Sequence, residues 1–416
     1  MLLVLAFQVS SCLEDTCETT RTYTAFDPVY KTRSEINASV AIERSQNLEQ
    51  PGKIYVYDDF IFVNEYRKGV HIIDNANPAD PLFVAFIKIE GNVDIAVLGS
   101  VLYADNYLDL VSFDISDPRR PVLINREENV FPGLGEFGAR GTLVYYEQSV
   151  EQIEIPCTDP NFGLDIIRLE SSDRVFANIG TNQGNAAGSI GTESGIGGSL
   201  ARFTISSGYL YSVSDFDLKV FSLKDPRDPR LLNTVPIGWG IETIFPLGEY
   251  LFIGANDGMY IFDNSIPSAP RQLSVFRHAR ACDPVFVEGD KAYVTLRDGT
   301  ICESFTNQLE VVDVSDLTNP SLLAVYPMHH PIGLSLDDGI LFLCEDDQGL
   351  KVFDAKDWKN IDKNLLDHET GFTTYDVITL PKEKIAIVIG ADGLYQFDYS
   401  NPRDLKQLSL LSVYKN

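Results

Sequence analysis

Seven residues whose side chains suit ligand binding or proton transfer fall in loops that the repeat pattern places on one face. They are Trp239, His278, Arg280, His329, His330, His368 and Phe372. Aromatic and arginine side chains supply much of the binding energy when a partner buries them, and imidazoles can titrate near neutral pH or bind metals. Adjacent histidines rarely point at one ion, so the pattern favours a binding surface over a metal site. Structural roles stay open for Trp239, as a plug of a central channel, and for Arg280, as the partner of a carboxylate.

The sequence carries none of the short motifs that mark common catalytic sites. It has no Gly-x-Ser-x-Gly, no His-Glu-x-x-His and no glycine-rich phosphate loop between a strand and a helix. Acidic turns such as 345–347 could hold Ca2+, which takes about six to eight oxygen ligands, but no Asp-x-Asp-x-Asp-Gly loop occurs. We therefore expect no cofactor, with Ca2+ as the alternative, and interpret the acidic turns as solvated surface.

The cysteines suggest one disulfide. Cys282 begins the first strand of a repeat unit, and Cys302 lies in an enlarged turn of the same unit, so both are expected on one face. An oxidising compartment would allow them to pair, and the cross-link would stabilise the fold by about 3 kcal/mol. The alternative is two separate buried thiols. Cys344 ends an apolar strand and is expected in the core.

A short stretch that the chain repeats seven times positions all of these residues. Its copies are 70–74, 110–114, 218–222, 259–263, 309–313, 350–354 and 394–398. The copy at 309–313, LEVVD, alternates apolar and polar residues before a polar turn, as a half-buried strand does. The copies recur roughly every 40–50 residues, apart from one longer interval, and four strands fit each unit. The sequence predicts an all-β fold: a seven-bladed β-propeller of four-stranded antiparallel blades with a long inserted loop.

Antiparallel pairing also predicts which connections share a face. The connections between units and the turns between second and third strands emerge on one side, which we call the loop face. The Asp that ends each third strand, replaced by Ser222 in one unit, should accept backbone N–H groups in the opposite turns. If units begin near Gly52, each blade is built from its own unit and the ring closes mainly by side-chain packing. The alternative is a closing strand over residues 38–43.

The longer interval holds an insertion at 126–198. Loops of this length are usually functional or disordered. The stretch ARGTLVYYEQSVEQIEI within it could form an extra strand or hairpin, and a Gly/Ser/Asn-rich tract of linker composition ends it.

Four motifs resemble those of the Bacteroidetes LVIVD-repeat lipoproteins. They are GSLARFTI at 198–205, WGIETIF at 239–245, HARACDP at 278–284 and GADGLY at 390–395. The resemblance covers roughly residues 52–416, and it implies a propeller on the cell envelope with no enzymatic activity to carry over. Val9-Ser10-Ser11-Cys12 is similar to the lipobox of such proteins, which implies a signal peptide at 1–11 and a lipid on Cys12. We expect a tether and N-terminal segment at 12–51, a propeller at 52–416, and an outer-membrane, lipid-anchored protein at the cell surface.

Charge and hydropathy limit the partners. The 416 residues carry a formal net charge of -27, which argues against nucleic acid and against adsorption to an anionic membrane. Apolar runs after the N-terminus are too short to cross a bilayer, so we expect membrane contact through a lipid anchor alone.

Three functions remain open at this point. The leading hypothesis is a surface-anchored, non-enzymatic scaffold that binds a protein or glycan partner through the loop face. The alternative is a propeller hydrolase or lyase with its site at the mouth of the central channel. A third is a structural subunit of an outer-membrane complex.

Overall fold

Strands make up most of the described chain. The computed structural model describes residues 18–131, 133–156, 166–168, 175–177, 196–278, 284–297 and 306–414. Before the first repeat unit lie β1 (Glu18–Lys31), α1 (Arg33–Ala38) and β2 (Val40–Glu43). The first unit contains β3 (Pro51–Tyr57), β4 (Phe60–Glu65), β5 (Gly69–Asp74) and β6 (Leu82–Ile89). The second contains β7 (Ile95–Leu98), β8 (Val101–Asn106), β9 (Asp109–Asp114) and β10 (Val122–Glu127).

The insertion follows, and then the remaining units. The insertion contains a 3-10 helix (Gly138–Arg140), β11 (Thr142–Pro156), β12 (Ile166–Arg168), β13 (Val175–Ala177) and β14 (Ile196–Gly197). The third unit contains β15 (Phe203–Ser206), β16 (Tyr209–Val213), β17 (Asp217–Ser222) and β18 (Arg230–Pro236). The fourth contains β19 (Ile241–Leu247), β20 (Tyr250–Ala255), β21 (Gly258–Asp263) and β22 (Arg271–Arg277).

The last three units complete the described chain. The fifth contains β23 (Val285–Glu288), β24 (Lys291–Leu296), β25 (Gln308–Asp313) and β26 (Ser321–Pro327). The sixth contains β27 (Leu334–Asp337), β28 (Ile340–Cys344), β29 (Leu350–Asp354), a 3-10 helix (Ile361–Lys363) and β30 (Leu365–Glu369). The seventh contains β31 (Asp376–Leu380), β32 (Ile385–Gly390), β33 (Gly393–Asp398) and β34 (Lys406–Ser412).

Each unit forms one antiparallel sheet in which its four strands pair in chain order. We call these repeat sheets 1 to 7, in the order of their units. The prediction of four antiparallel strands per unit is therefore confirmed. Sheet 1 carries two additional strands, β14 beside β3 and β2 beside β6, and a separate sheet has the order β11-β1-β13-β12.

The predicted turns at the ends of the third strands are also present. In six sheets the aspartate carboxylate accepts a backbone N–H from the residue two positions later, at 2.8–3.2 Å. Ser222 accepts the same bond at 3.3 Å in sheet 3. The N–H of Ser116 and the guanidinium of Arg227 lower the pKa of Asp114 to about 2. The repeated aspartates are therefore turn residues, as predicted.

The sheets are arranged in a circle around their first strands. These strands contact one another in the order β3, β7, β15, β19, β23, β27 and β31, and β31 contacts β3. Apolar clusters fill the space between neighbouring sheets, and one of them joins Ile54 of sheet 1 to Ile387 of sheet 7. Strands covered on both faces need continuous apolar runs, which explains why all six residues of β32, IAIVIG, are buried. The arrangement is that of a β-propeller.

Sheets 7 and 1 meet through hydrogen bonds as well as packing. The side chains of Asn75 and Gln396 donate to each other at 3.0 and 2.7 Å. Leu48, ahead of sheet 1, forms a parallel bridge with Val413, after β34, and its carbonyl accepts the Tyr414 N–H at 2.8 Å. Each sheet takes its four main strands from its own unit, as expected. Apolar packing joins sheets 7 and 1, and these hydrogen bonds add to it.

The alternative of a ring-closing strand at 38–43 is wrong, because this strand does not pair with sheet 7. Residues 40–43 do form β2, but this strand pairs with β6 on the outer edge of sheet 1. The N-terminal segment instead reaches sheet 7 through Leu48. It is fixed to sheet 2 as well, because Arg33 at the start of α1 binds Asp109 at 2.6 Å and Ile36 is buried.

The insertion supplies one long strand. The stretch expected to form a strand or hairpin is β11, and it pairs along its length with the N-terminal β1 rather than with a neighbouring repeat. The guanidinium of Arg67 lies 3.6 Å from the centre of the Tyr145 ring, which fastens β11 to the loop face of sheet 1. Residues 181–195 of the linker-like tract lie outside the described residues. Within the described chain, no helix has the length and apolar character needed to cross a membrane.

We predict that Leu48→Ala lowers the free energy of unfolding by about 2–5 kcal/mol, since Leu48 is fully buried between sheets 1 and 7. The measurement is urea denaturation followed by circular dichroism. The control is Ile42→Ala in β2, where the side chain is 44% exposed and a change within about 0.5 kcal/mol is expected. Equal effects of the two substitutions would show that Leu48 does not help to close the ring.

Candidate functional site

Two exposed aromatic side chains meet on the loop face between sheets 3 and 4. Trp239, in the connection between β18 and β19, is 67% exposed, and Phe216, in the turn between β16 and β17, is 46% exposed. Their ring centroids lie 4.7 Å apart in an edge-to-face arrangement, which is a favourable geometry for aromatic pairs. We call these two residues the aromatic patch. The pair exposes a large apolar surface where polar loop residues would be expected.

Backbone hydrogen bonds hold the two loops of the aromatic patch together. The Phe216 carbonyl accepts the N–H groups of Ile237 and Gly238 at 3.0 and 3.4 Å, and the Asp215 carbonyl accepts the Ile241 N–H at 3.3 Å. The indole is therefore displayed on a fixed loop.

A polar group borders the patch on sheet 4. The Tyr260 hydroxyl donates to Asp257 at 3.1 Å, and Arg277 contacts both Asp257 and the Tyr260 oxygen. A Cβ on Gly238 would lie 3.2 Å from that hydroxyl, so the Trp239 loop passes directly over Tyr260. The patch thus combines apolar surface with hydrogen-bonding groups at its edge.

Phe216 was missed by the sequence analysis. The available signal was an aromatic residue between two aspartates in the turn SDFD, at 214–217, where the strand pattern is interrupted. An apolar side chain at the tip of such a turn has no core to enter.

The histidines predicted for the loop face form two separate contacts with carboxylates. His329 Nε2 lies 3.1 Å from Asp347, and His330 Nδ1 lies 3.2 Å from Asp346. Both histidines are in the connection between sheets 5 and 6, and both carboxylates are in the turn between β28 and β29. His278 follows β22, with its ring 6.2 Å from that of Phe276. Among the described residues, no three His, Cys, Asp or Glu side chains are grouped so that they could hold a metal ion.

Two of the seven predicted binding residues lie elsewhere than expected. His368 is part of β30 rather than of the connection that follows it, and its Nε2 lies 2.7 Å from the Gln348 carbonyl. Phe372 is 8% exposed and packs against Tyr395 at a centroid distance of 4.3 Å, so it is a core residue. An apolar residue in a connection can fill the gap between sheets, and here it does.

Of the cysteines with a predicted role, the structure describes Cys344. Cys344 is fully buried with a free thiol, as expected. Cys12, Cys282, Cys302 and Arg280 lie outside the described residues.

A cavity of about 340 Å³ opens on the outer part of the loop face, between the N-terminal segment and sheet 1. Its floor includes the buried pair Glu65 and His71, whose side chains are 2.9 Å apart. Burial opposes ionisation of Glu65, but hydrogen bonds from His71 and from the N–H groups of Glu49 and Gln50 hold its pKa below the usual value. Side chains of both charges line the cavity, including Arg67 and Glu90.

The centre of the ring is occupied by the chain itself. Residues 197–201, which we call the central segment, are all buried. Gly197 pairs with Tyr55 of sheet 1, Ser199 binds Asp376 of sheet 7, and the Ala201 carbonyl accepts the Ile244 N–H of sheet 4 at 2.9 Å. A segment in contact with sheets 1, 4 and 7 must cross the middle of the ring.

Charged side chains surround the central segment in opposite-sign pairs. Lys53 Nζ lies 3.1 Å from Asp94, with both side chains buried, and Arg202 lies 2.8 Å from Asp215. Burial lowers the pKa of Lys53, against the attraction of Asp94. Burial raises the pKa of Glu242, although Arg297 and Arg202 oppose the shift.

Asp105 belongs to the same central group. Burial raises its pKa to about 6, although the N–H groups of Asp94 and Val93 oppose the shift. The sequence signal for these central residues is a charged residue at or just before a first strand, as at Lys53, Asp94 and Arg202, and it was not recognised.

Comparisons with known proteins agree with this architecture. An LVIVD repeat model matches residues 51–87, 92–127 and 279–327. The periplasmic gluconolactonase PpgL of Pseudomonas aeruginosa is similar with a TM-score of 0.52 and 11% identity, covering 94% of this chain and 97% of that one. The computationally designed protein Ika8 is similar with a TM-score of 0.51 and 11% identity, covering 89% and 93%. At these identities the likeness concerns the fold. No curated protein matches the chain.

We predict that Asp94→Asn destabilises the protein by about 3–5 kcal/mol, because it leaves the buried Lys53 ammonium without its carboxylate. Thermal and urea unfolding measure the effect. The control is Asp338→Asn, which breaks the exposed pair of Asp338 with Lys356 and should leave the melting temperature nearly unchanged. A mild effect at Asp94, similar to that at Asp338, would show that water reaches Lys53.

Proposed function

We propose that this chain is a surface-anchored, non-enzymatic propeller scaffold that binds a protein or glycan partner through its loop face. The observation that carries the proposal is the aromatic patch. Two large side chains are exposed side by side on loops already fixed by backbone hydrogen bonds. Such side chains lose little conformational freedom on binding and gain most from burial, as in known interface anchors.

The central segment favours binding over a hydrolase or lyase site at the channel mouth. A propeller enzyme of that kind needs space and converging titratable groups at the centre. Here the central segment fills the centre, and the surrounding Lys53 and Arg202 are already paired with carboxylates. Partner contact is therefore expected on the loops around the centre rather than inside it.

We further infer that sheets 1 to 7 are the seven blades of one closed ring. The inference is supported by the circular order of contacts among the first strands and by the bonds between sheets 7 and 1. A ring with one blade per repeat leaves no repeat copy unassigned.

We also propose that the chain is a lipoprotein of the Bacteroidetes LVIVD type, anchored through Cys12 at the outer membrane. The assignment rests on the lipobox-like residues before Cys12 and on the four sequence motifs that resemble that family. The matched LVIVD repeats concern the repeat alone. With the loop face presented on a tethered propeller, membrane contact would be through the lipid alone.

The anchor has a direct test. The native protein should partition into the detergent phase, and Cys12→Ala should move it to the aqueous phase, because one lipidated residue is expected to hold it. Membrane retention of Cys12→Ala would contradict the proposed anchor.

For the binding site, we predict that Trp239→Ala weakens partner binding by at least about 2 kcal/mol, roughly thirtyfold in Kd, and that Phe216→Ala has a smaller effect. The partner is first captured from native envelope solubilised in mild detergent, and its affinity is then measured with purified variants. Neither substitution should change the melting temperature much, since both side chains are exposed.

Ile266→Ala is the matched control for the aromatic patch. Ile266 is 64% exposed and lies between β21 and β22, on the face opposite the loop face. If binding survives both aromatic substitutions but is lost in Ile266→Ala, the binding site lies on the opposite face and the proposal is refuted.

A further inference from the structure

One buried carboxyl group holds the central segment in place. Asp376, the first residue of β31, is fully buried. Its Oδ1 accepts the Ser199 N–H at 3.2 Å, the Ser199 hydroxyl at 3.1 Å and the Val377 N–H at 3.0 Å. Ser199 Oγ in turn accepts the Leu334 N–H of sheet 6 at 2.7 Å. Asp376 and Ser199 therefore join the central segment to sheets 6 and 7.

The second oxygen of Asp376 has no such support. Oδ2 is buried and has no hydrogen-bond partner among the described residues. A Cβ placed on Gly198 would lie 2.2 Å from Oδ2, so this oxygen faces the aliphatic Cα of the central segment. A negative charge on Oδ2 would be poorly solvated there, whereas a protonated oxygen would be neutral.

The charged and titratable neighbours of Asp376 do not remove this cost. Lys53 of β3 is the cation that acts on Asp376, but its Nζ is bound to Asp94 at 3.1 Å. From sheet 6, the Cys344 thiol is neutral and buried, and the Glu345 carboxylate contacts Lys351. Burial raises the pKa of Asp376 to about 7, against the hydrogen bonds from Val377 and Ser199 and the charge of Lys53.

We propose that Asp376 and Ser199 form a proton-dependent latch that binds the central segment in the ring more tightly at acidic than at neutral pH. The latch goes beyond the proposed partner binding, because it concerns access to the centre of the ring rather than the aromatic patch. Gly198 is required for it, since any larger residue would collide with the carboxyl group.

The direction of the pH dependence follows from linkage. With the central segment in place, the Asp376 pKa is about 7, against the ordinary value of 3.8 for the solvated carboxyl of an open state. A raised pKa means that the bound proton stabilises the closed state. This stabilisation is fully present below about pH 4. Above that pH, the equilibrium constant for closing falls about tenfold per pH unit, and the stabilisation is lost once the pH has risen through about 7.

Hydrogen exchange of the full chain, read by mass spectrometry, tests the latch. After correction for intrinsic exchange rates, protection of the peptide that contains 197–201 should fall about a hundredfold from pH 5 to pH 8 and level off above pH 8. A peptide from β20, remote from the centre, should keep constant protection. A constant value for 197–201, or an equal loss in β20, would overturn the proposal.

Three variants separate the latch from other titrations. Asp376→Asn keeps the shape without the charge, so its protection at 197–201 should be independent of pH. Asp105→Asn removes another buried acid of raised pKa, and should leave the hundredfold change intact. Gly198→Ala should lose protection at every pH while β20 stays protected. The role of Asp376 would be refuted if Asp376→Asn kept the wild-type pH dependence of protection, or if Asp105→Asn lost that pH dependence. If Asp376→Asn does not fold, the protection profiles of the wild type and of Gly198→Ala test the proposal instead.

Discussion

Burial of both faces of the inner strands in each repeat sheet is the constraint on which this structure depends. A strand such as β32, buried along its whole length, is stable only if a sheet packs on each side of it. A row of sheets would leave its two end faces exposed, and a circle does not. The bonds between sheets 7 and 1, through Leu48 and through Asn75 and Gln396, therefore support the packing of every other sheet.

The same constraint determines what the ends of the sheets can do. Since the inner strands are buried on both faces, their polar groups are found mostly at their ends, in the turns and at the centre of the ring. The turns on one side are uniform, because the repeated aspartates close them by the same hydrogen bond. The loop face varies from sheet to sheet and carries the aromatic patch, the histidine contacts and the cavity beside the N-terminal segment. The centre is filled by the central segment, whose Gly198 allows it to pass Asp376.

The local features of the fold could be predicted from the sequence, and the long-range ones could not. Strand periodicity and turn chemistry are local, so the four strands of unit four, the turn aspartates and the burial of Cys344 were all predicted correctly. The pairing of β1 with β11 joins segments over a hundred residues apart, and the sequence of neither segment indicates its partner. Likewise, Phe372 lies in a polar connection but is buried, whereas Phe216 lies in a polar turn and is exposed, so the local sequence does not decide the burial of either residue. The path of residues 197–201 depends on contacts with sheets 1, 4, 6 and 7 at once, which no local pattern encodes.

The contact between Leu48 and Val413 has a consequence for biosynthesis. Leu48 finds Val413 only after all seven repeat units between them have been made. Until then, sheet 1 presents an uncovered apolar face, and the residues around Leu48 have nothing to bind. Contacts of such large sequence separation slow folding and lengthen the exposure of unpaired strand edges. The contact of sheet 1 with sheet 7 can form only after β34 and Val413 have been released, so a truncation that removes them would also destabilise the residues around Leu48.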